Sequence, residues 1–257
     1  MNKTFGSFAK KAKLYARYRP TYSLDYKKYL IDTVKIAQNS SIADVGAGTG
    51  IHTKTLVDIS ERIYCVEPDL PMLQICEEVF KNQNNVSFLL ASAEHTSLPD
   101  KSVDYITVAQ AFHLFDTTKS LIEFRRILKK NGKLLLVWNS KEQDNKLFFD
   151  TEKLIKKFCP TYQRRIHART FFRDTYDFCF EQDTFIFTCL SHDSTENLTK
   201  NIFVNRTLSA SYALTRNNSN YRVFVEELKK IFDEHAVNGV VKVPQSTMIY
   251  HGEMREI

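Results

Sequence analysis

The 257-residue chain has no apolar run approaching the length needed to cross a bilayer. Its first residues, with Lys3, Lys10, Lys11 and Lys13, lack the apolar stretch of a secretory signal. A cytoplasmic protein with no membrane partner is therefore the expectation. The five cysteines, Cys65, Cys76, Cys159, Cys179 and Cys189, are odd in number and contain no Cys-x-x-Cys pair, which argues for reduced core thiols over a disulfide framework. Seven histidines are scattered without His-x-x-x-His or His-Glu-x-x-His spacing, so no metal site is expected. No Gly-Lys-Ser or Gly-Lys-Thr is present to complete a phosphate-cradling P-loop. Internal repeats, low-complexity tracts and obvious linkers are also missing.

What is there begins with Ile42-Ala43-Asp44-Val45-Gly46-Ala47-Gly48-Thr49-Gly50, an apolar strand running into a glycine loop. Such glycines let backbone approach a ligand without interference from Cβ, and a helix entered at about Ile51 would turn free N–H groups toward the same place. Glu67, at the end of the next apolar strand, has the spacing of a carboxylate that accepts from both hydroxyls of a ribose. Together these point to a nucleoside cofactor. A dinucleotide fingerprint would need its third glycine at position 51, where this chain has Ile51, so a nicotinamide dehydrogenase ranks last.

Short apolar runs alternate with helical patterns, the sign of a mostly parallel sheet covered on both faces. The pattern predicts strands near 41–45, 63–67, 86–90, 103–109 and 133–138. It predicts helices over Thr53 to Ile59, Pro71 to Phe80 and Thr117 to Leu128, with Asn131-Gly132 as a stop. Right-handed crossovers then put every strand's C-terminal end along one edge, and a ligand belongs where strand order reverses. Further on, Lys146 to Phe158, Glu196 to Val204 and Tyr221 to His235 read as helices, and Thr184 to Leu190 and Ser246 to Tyr250 as strands. The length suits one α/β domain, 1–257: an N-terminal arm (1–30), a cofactor-binding core (31–140), and a remainder (141–257) that completes the sheet and carries a roofing insertion at about 191–237.

The order of several motifs carries a resemblance. Asp-Val-Gly-Ala-Gly-Thr-Gly is followed by Glu67-Pro68-Asp69, then Ala91-Ser92-Ala93-Glu94 before Leu98-Pro99. Val103 to Val108 then leads to Ala109-Gln110-Ala111-Phe112-His113, and Arg126 to Lys133 follows. Over roughly residues 12 to 140 this resembles the class I S-adenosylmethionine-dependent methyltransferases of the type 11 group. Tyr15-Ala16-Arg17-Tyr18-Arg19-Pro20 is similar to a segment in the small-molecule branch akin to trans-aconitate methyltransferase. The resemblance implies a Rossmann-like, mostly parallel seven-stranded sheet with helices on both faces and a helical insertion near the C-terminus. It implies S-adenosylmethionine as cofactor. Gly46, Ala47, Gly48 and Gly50 would line the methionine half, with Asp44 near its ammonium or, alternatively, ordering the loop. Glu67 would hold the ribose, and Pro68, Asp69 and Met72 would lie beside the adenine, although helix packing explains Met72 nearly as well. Ala93 would meet the adenine edge through its N–H. Many relatives carry aspartate at Ser92, and Glu94 is the substitute here. Gln110 would face the methionine portion or the substrate.

For the acceptor, Tyr15, Tyr18 and Arg19 would fold over the site, or else form a surface helix with a basic side. Phe112 and Trp138 would flank the transfer point. His113 is the candidate general base, against a structural role in its aromatic context; Leu114 departs from the Phe-His-Trp-Phe of relatives. No Asn-Pro-Pro-Tyr or Asp-Pro-Pro-Tyr follows the fourth strand, which argues against amino-group methylation of adenine or glutamine. Cys159-Pro160 reverses the order of the cytosine-C5 motif. The net charge of +6 concentrates in residues 1 to 30 and in a stretch with Lys153, Lys156, Lys157, Arg164, Arg165, Arg169 and Arg173. These cations would attract an acidic metabolite or a nucleic acid, or form solvated faces. The expected function is methyl transfer to oxygen or carbon of a small molecule, an acidic one favoured, with an RNA methyltransferase or a non-catalytic S-adenosylmethionine-binding protein as alternatives. No motif speaks to oligomeric state.

Overall fold

The computed structural model describes residues 11–141, 145–162 and 185–254. Its elements in chain order are α1 (Ala12–Tyr18), α2 (Leu24–Asp32), β1 (Ser41–Val45), α3 (Thr53–Leu56), β2 (Arg62–Val66), α4 (Leu70–Phe80), β3 (Val86–Leu89), β4 (Val103–Ala109), α5 (Thr117–Ile127), β5 (Leu128–Lys141), α6 (Lys146–Phe158), β6 (Phe185–Thr199), α7 (Lys200–Leu208), α8 (Tyr221–His235) and β7 (Val240–Met254). A single 3₁₀ turn, Phe112–Leu114, follows β4. The seven strands form one sheet in the order β3-β2-β1-β4-β5-β7-β6, and β1 pairs in parallel with both β2 and β4. Strand order reverses between β1 and β4. The Rossmann-like α/β expectation is met.

Two compact units are present, one of Thr21–Asn139, Ile166–His192 and Thr247–Ile257, the other of Met1–Pro20, Ser140–Arg165 and Asp193–Ser246. In the first, side chains alternate across the sheet as strand geometry requires. Val45, Leu134, Leu136 and Trp138 point to one face and pack with Leu121, Phe124 and Ile127 of α5. Ile42, Ile63, Leu135 and Val137 point to the other and pack with Tyr26 and Leu30 of α2, Leu56 of α3, and Cys76 and Phe80 of α4. Helix starts follow local chemistry. Asp69 accepts from the Met72 N–H ahead of α4, where Pro71 sits in the first turn, and Asp116 accepts from the Lys119 N–H ahead of α5. Helix α2, absent from the sequence reading, is announced by Ser23, whose hydroxyl accepts from the Tyr26 N–H.

The second unit packs Leu154 and Ile155 of α6, Phe203 and Leu208 of α7, and Phe224, Leu228 and Phe232 of α8 into its own core. Lys11, just before α1, donates to the carbonyls of Ala210 and Ala213 beyond the end of α7, and burial lowers its pKa to about 8. Arg206 of α7 is paired with Glu196 and donates to the Tyr18 carbonyl.

Several element boundaries differ from expectation. The helix anticipated from Ile51 and over Thr53–Ile59 is the single turn α3, because the hydrogen bonds of residues 50–60 switch between i+3 and i+4 spacing. Strand β5 starts at Leu128, well before position 133. Here Val103 pairs with Leu128 but Tyr105 with Lys133, and Asn131 absorbs the irregularity at φ +62°. The α5 helix thus stops at Ile127, not at Asn131-Gly132. Glu196 to Thr199 is strand where helix is expected: Thr199 is extended at the start of α7, and the Glu196 carboxylate reaches back to Arg206.

Candidate functional site

Gly46, Gly48 and Gly50 all adopt left-handed φ values, +72°, +58° and +79°, which L side chains rarely take. Two of them are also closed in by neighbours. A Cβ at Gly46 would stand 2.6 Å from Ala111 Cβ, and one at Gly50 would stand 2.4 Å from the Phe80 ring and 2.8 Å from Cys76 Sγ. The loop is therefore wedged between α4 on one side and the segment after β4 on the other. Its start is fixed to β2 through N–H groups of Gly46 and Ala47 donating to the Val66 carbonyl. Met72 lies beneath it, with Cε 3.4 Å from a Cβ placed at Gly48.

Glu67 ties this loop to α4. One carboxylate oxygen accepts from Gly48 N–H and the other from Asp69 N–H, both at 2.9 Å. Burial raises its pKa to about 7 against those two stabilising bonds, and the carboxylates of Asp69 and Asp44 push it the same way. A carboxylate offers about four lone-pair sites. Two remain for a ligand.

Asp44 is 1% exposed. Its Oδ1 accepts from Thr107 Oγ1 at 3.0 Å and lies 3.0 Å from His52 Nδ1, while Oδ2 accepts from Thr53 Oγ1 at 2.6 Å. His52 Nε2 in turn meets the Tyr26 hydroxyl at 2.8 Å. This network binds β1, α3, β4 and α2 together under the loop, which is the loop-ordering arrangement. The sequence reading missed His52 and Thr53, whose only signal is their place one turn beyond the last loop glycine. Thr49, also missed, is 2% exposed, and its Oγ1 has no hydrogen-bond partner among the described residues.

On the β3 side, Ala93 is buried with Ser92 and Glu94 half-buried around it. Ser92 bridges to His95, and Glu94 Oε1 accepts from Asp116 N–H, so its carboxylate is partly committed to the segment after β4. Thr96 is anchored by Glu123 of α5, whose Oε1 accepts from the Thr96 N–H and hydroxyl. Burial raises the Glu123 pKa, but Arg126 and Thr96 outweigh it and bring it to about 2.

On the β4 side, Gln110 takes φ +62° and its Nε2 donates to the Asn139 carbonyl at 3.1 Å. Phe112 is 1% exposed and belongs to the core, packing edge-on against Phe115 with ring centroids 6.0 Å apart. Phe115, not Phe112, is the aromatic ring that reaches Gly46, 3.1 Å from a Cβ placed there. His113 and Trp138 meet edge to face at 4.8 Å. Pro68 and Asp69 are half-buried directly after Glu67. One edge of the sheet thus gathers the loop glycines, Glu67, Asp69, Met72, Gln110, His113 and Trp138.

Tyr15, Tyr18 and Arg19 belong to the other unit, where the Arg19 guanidinium lies 4.9 Å over the Tyr15 ring. Of the second basic stretch, Arg164 to Arg173 fall outside the described residues, and Lys156 is paired with Glu152 at 3.1 Å. Among the described residues no cluster of His, Cys, Asp and Glu suits a metal ion, and no helix is long and apolar enough to cross a membrane.

Residues 43–136 match the family of the methyltransferase domain. That span contains the glycine loop, Glu67, the 91–94 segment and, on the β4 side, Gln110 and His113, but stops short of Trp138. An uncharacterized methyltransferase of Schizosaccharomyces pombe is 33% identical over 129 residues, covering 50% of this chain and 50% of that protein. The chain spans about half the length of the curated relatives it matches. Among solved structures, a provisionally named type II methyltransferase of Anaeromyxobacter dehalogenans superposes with a TM-score of 0.66 at 20% identity, covering 92% of this chain and 98% of its own. Phospholethanolamine N-methyltransferase 2 of Haemonchus contortus, solved with phosphomonomethylethanolamine and S-adenosylhomocysteine, gives 0.53 at 16% identity over 99% of this chain and 58% of its own. The chain has the methyltransferase fold.

Proposed function

We propose that the protein is an S-adenosylmethionine-dependent methyltransferase acting on oxygen or carbon of a small, acidic molecule, within the type 11 group and its trans-aconitate-like branch. The observation that carries the reading is Glu67, a buried carboxylate with no cation among its partners in the described residues and two lone pairs to spare, beside a left-handed glycine loop. The match over residues 43–136 supports it independently.

The residues present fit the cofactor. Glu67 would accept from the ribose hydroxyls, Asp69 and Met72 would flank the adenine, and the orphaned Thr49 hydroxyl is a donor suited to the cofactor's carboxylate. Asp44 has its carboxylate engaged by protein side chains, so its part is to hold the loop. When bound, S-adenosylmethionine supplies the methyl as an electrophile from its sulfonium. The protein's own work is positioning: aligning nucleophile, methyl and sulfur lowers the barrier by several kcal/mol. His113 would orient the acceptor, or take its proton where the acceptor is a hydroxyl; a carboxylate acceptor needs no base.

Calorimetric titration with S-adenosylhomocysteine tests the cofactor assignment. The wild-type protein is expected to bind, and Glu67→Ala to lose about 1–3 kcal/mol of affinity. No heat and no rise in melting temperature with wild type would end the proposal. Binding without turnover across a metabolite panel would leave a non-catalytic binder, and tight, salt-sensitive RNA binding would favour an RNA substrate.

A further inference from the structure

Among the described residues, one polar side chain at the β4–β5 edge is oriented by a hydrogen bond to its oxygen yet keeps its donors unused. Asn139 follows Trp138 near the end of β5. Its carbonyl accepts from Gln110 Nε2 at 3.1 Å, and its side-chain Oδ1 accepts from Thr247 Oγ1 of β7 at 2.6 Å. Gln110 is itself pinned, since its N–H donates to the Val137 carbonyl at 2.9 Å. The hydrogen bond from β7 thus orients the side-chain amide, while the residue after β4 holds the backbone carbonyl. Both Asn139 oxygens are spent, and neither Nδ2 hydrogen meets an acceptor among the described residues. What it presents is a half-buried pair of N–H donors with no acceptor beside them.

The position follows from the ligand path. Glu67 at the end of β2 fixes the nucleoside, and the loop after β1 touches Ala111, which adjoins Gln110, which bonds Asn139. With strands about 4.8 Å apart, a ligand laid along this edge from β2 brings its far end to β4 and β5. We propose that Asn139 is a specificity-determining residue whose Nδ2 hydrogens bind a carboxylate oxygen of the methyl acceptor, Gln110 and Thr247 being its positioning residues. This rests on the methyltransferase reading of the same edge. A donor-only group selects an oxygen anion and rejects an ammonium, because an ammonium brings donors to donors.

The test uses the ¹⁵N-labelled full chain saturated with S-adenosylhomocysteine and titrated with benzoate or benzylamine. The Asn139 side-chain amide signals, identified by their absence in Asn139→Asp, are expected to shift saturably with benzoate and not with benzylamine. Asn139→Asp retains an acceptor for the Thr247 hydroxyl and is expected to bind benzoate at least tenfold more weakly, with S-adenosylhomocysteine affinity within twofold of wild type. Thr247→Val, which frees the amide to rotate, should weaken benzoate severalfold and serves as the second variant if the first fails to fold. No benzoate response, benzoate affinity in both variants equal to that of wild type, or a preference for benzylamine overturns the proposal. If S-adenosylhomocysteine gives no heat while benzoate still moves the Asn139 signals, the methyltransferase reading falls and the carboxylate site stands.

Discussion

The Glu67 carboxylate accepts from the backbone N–H of Gly48 at 2.9 Å and, through its second oxygen, from that of Asp69. A single acid thereby sets the height of the glycine loop and the start of α4. Because it is buried among other acids, its ionisation is costly, and that cost has measurable consequences.

The first concerns stability. Glu67 has its folded-state pKa raised from 4.5 to about 7, so between those values the unfolded chain has released a proton that the folded chain retains. Stability from this group is full below pH 4.5 and is lost as pH rises through 7. At about 1.4 kcal/mol per unit, the loss is of order 3 kcal/mol. Urea denaturation of the ligand-free protein at pH 5 and pH 8 should show this decline, and Glu67→Gln should abolish its share.

The second concerns affinity. Ribose hydroxyls donate to the ionised carboxylate, so nucleoside binding drives off the proton that Glu67 carries below pH 7. S-adenosylhomocysteine affinity is expected to fall up to about tenfold per pH unit below 7 and to level off above it. Calorimetry in buffers of different ionisation heat, at pH 6, should register proton release; a flat pH profile would contradict the ribose contact.

Gly50→Ala tests the wedge. The new Cβ would meet Phe80 and Cys76 well inside van der Waals distance at a φ of +79°. Backbone strain and overpacking each cost about 1–3 kcal/mol. A melting temperature close to wild type would show that α4 can retreat from the loop.

Asp44→Ala strands the hydroxyls of Thr53 and Thr107 and a ring nitrogen of His52 in the interior. Destabilisation of about 2–4 kcal/mol is expected from the lost acceptor and its unsatisfied donors. Asp44→Asn should cost less, since its carbonyl oxygen can still accept from two of the three.

Glu123 titrates in the opposite sense to Glu67. Its pKa falls from 4.5 to about 2 in the folded state, so its contribution is complete above 4.5 and is lost as pH drops through 2. Solvent near Arg126 screens the pair, leaving about 1–2 kcal/mol. In acid unfolding, Glu123→Gln should be less sensitive than wild type between pH 5 and 3.

The alternation of apolar strands with amphipathic helices is a short-range pattern, and it placed Ser41–Val45, Val103–Ala109, Lys146–Phe158 and Tyr221–His235 at their observed bounds. What escaped it depends on contacts distant in sequence. The 50–60 segment has helical composition, but its backbone bonds alternate between three- and four-residue spacing, and only the turn Thr53–Leu56, whose first hydroxyl is held by Asp44, is regular. Periodicity extended β5 only back to 133, because the pairing of Leu128 with Val103 across the Asn131 irregularity is visible only once β4 lies alongside.

The same distinction applies to the site. The glycines, Glu67 and Asp69 announce themselves by spacing along one strand-loop-strand passage. Phe115 and Asn139 do not, since what places them there is contact with Gly46 and with Thr247, partners 69 and 108 positions away in the chain. Phe112 shows the reverse case, an aromatic residue expected beside the acceptor whose ring packs in the core.

Cys76 Sγ lies 2.8 Å from a Cβ placed at Gly50, and the neighbouring Cys65 thiol is fully buried, its pKa raised well above the usual value by Cys76 and by burial. Such thiols are shielded from alkylating reagents until the structure above them opens. Cys76 is thus a native gauge of breathing in the glycine turn that packs on it: the pace at which iodoacetamide alkylates this thiol records how often the turn lifts.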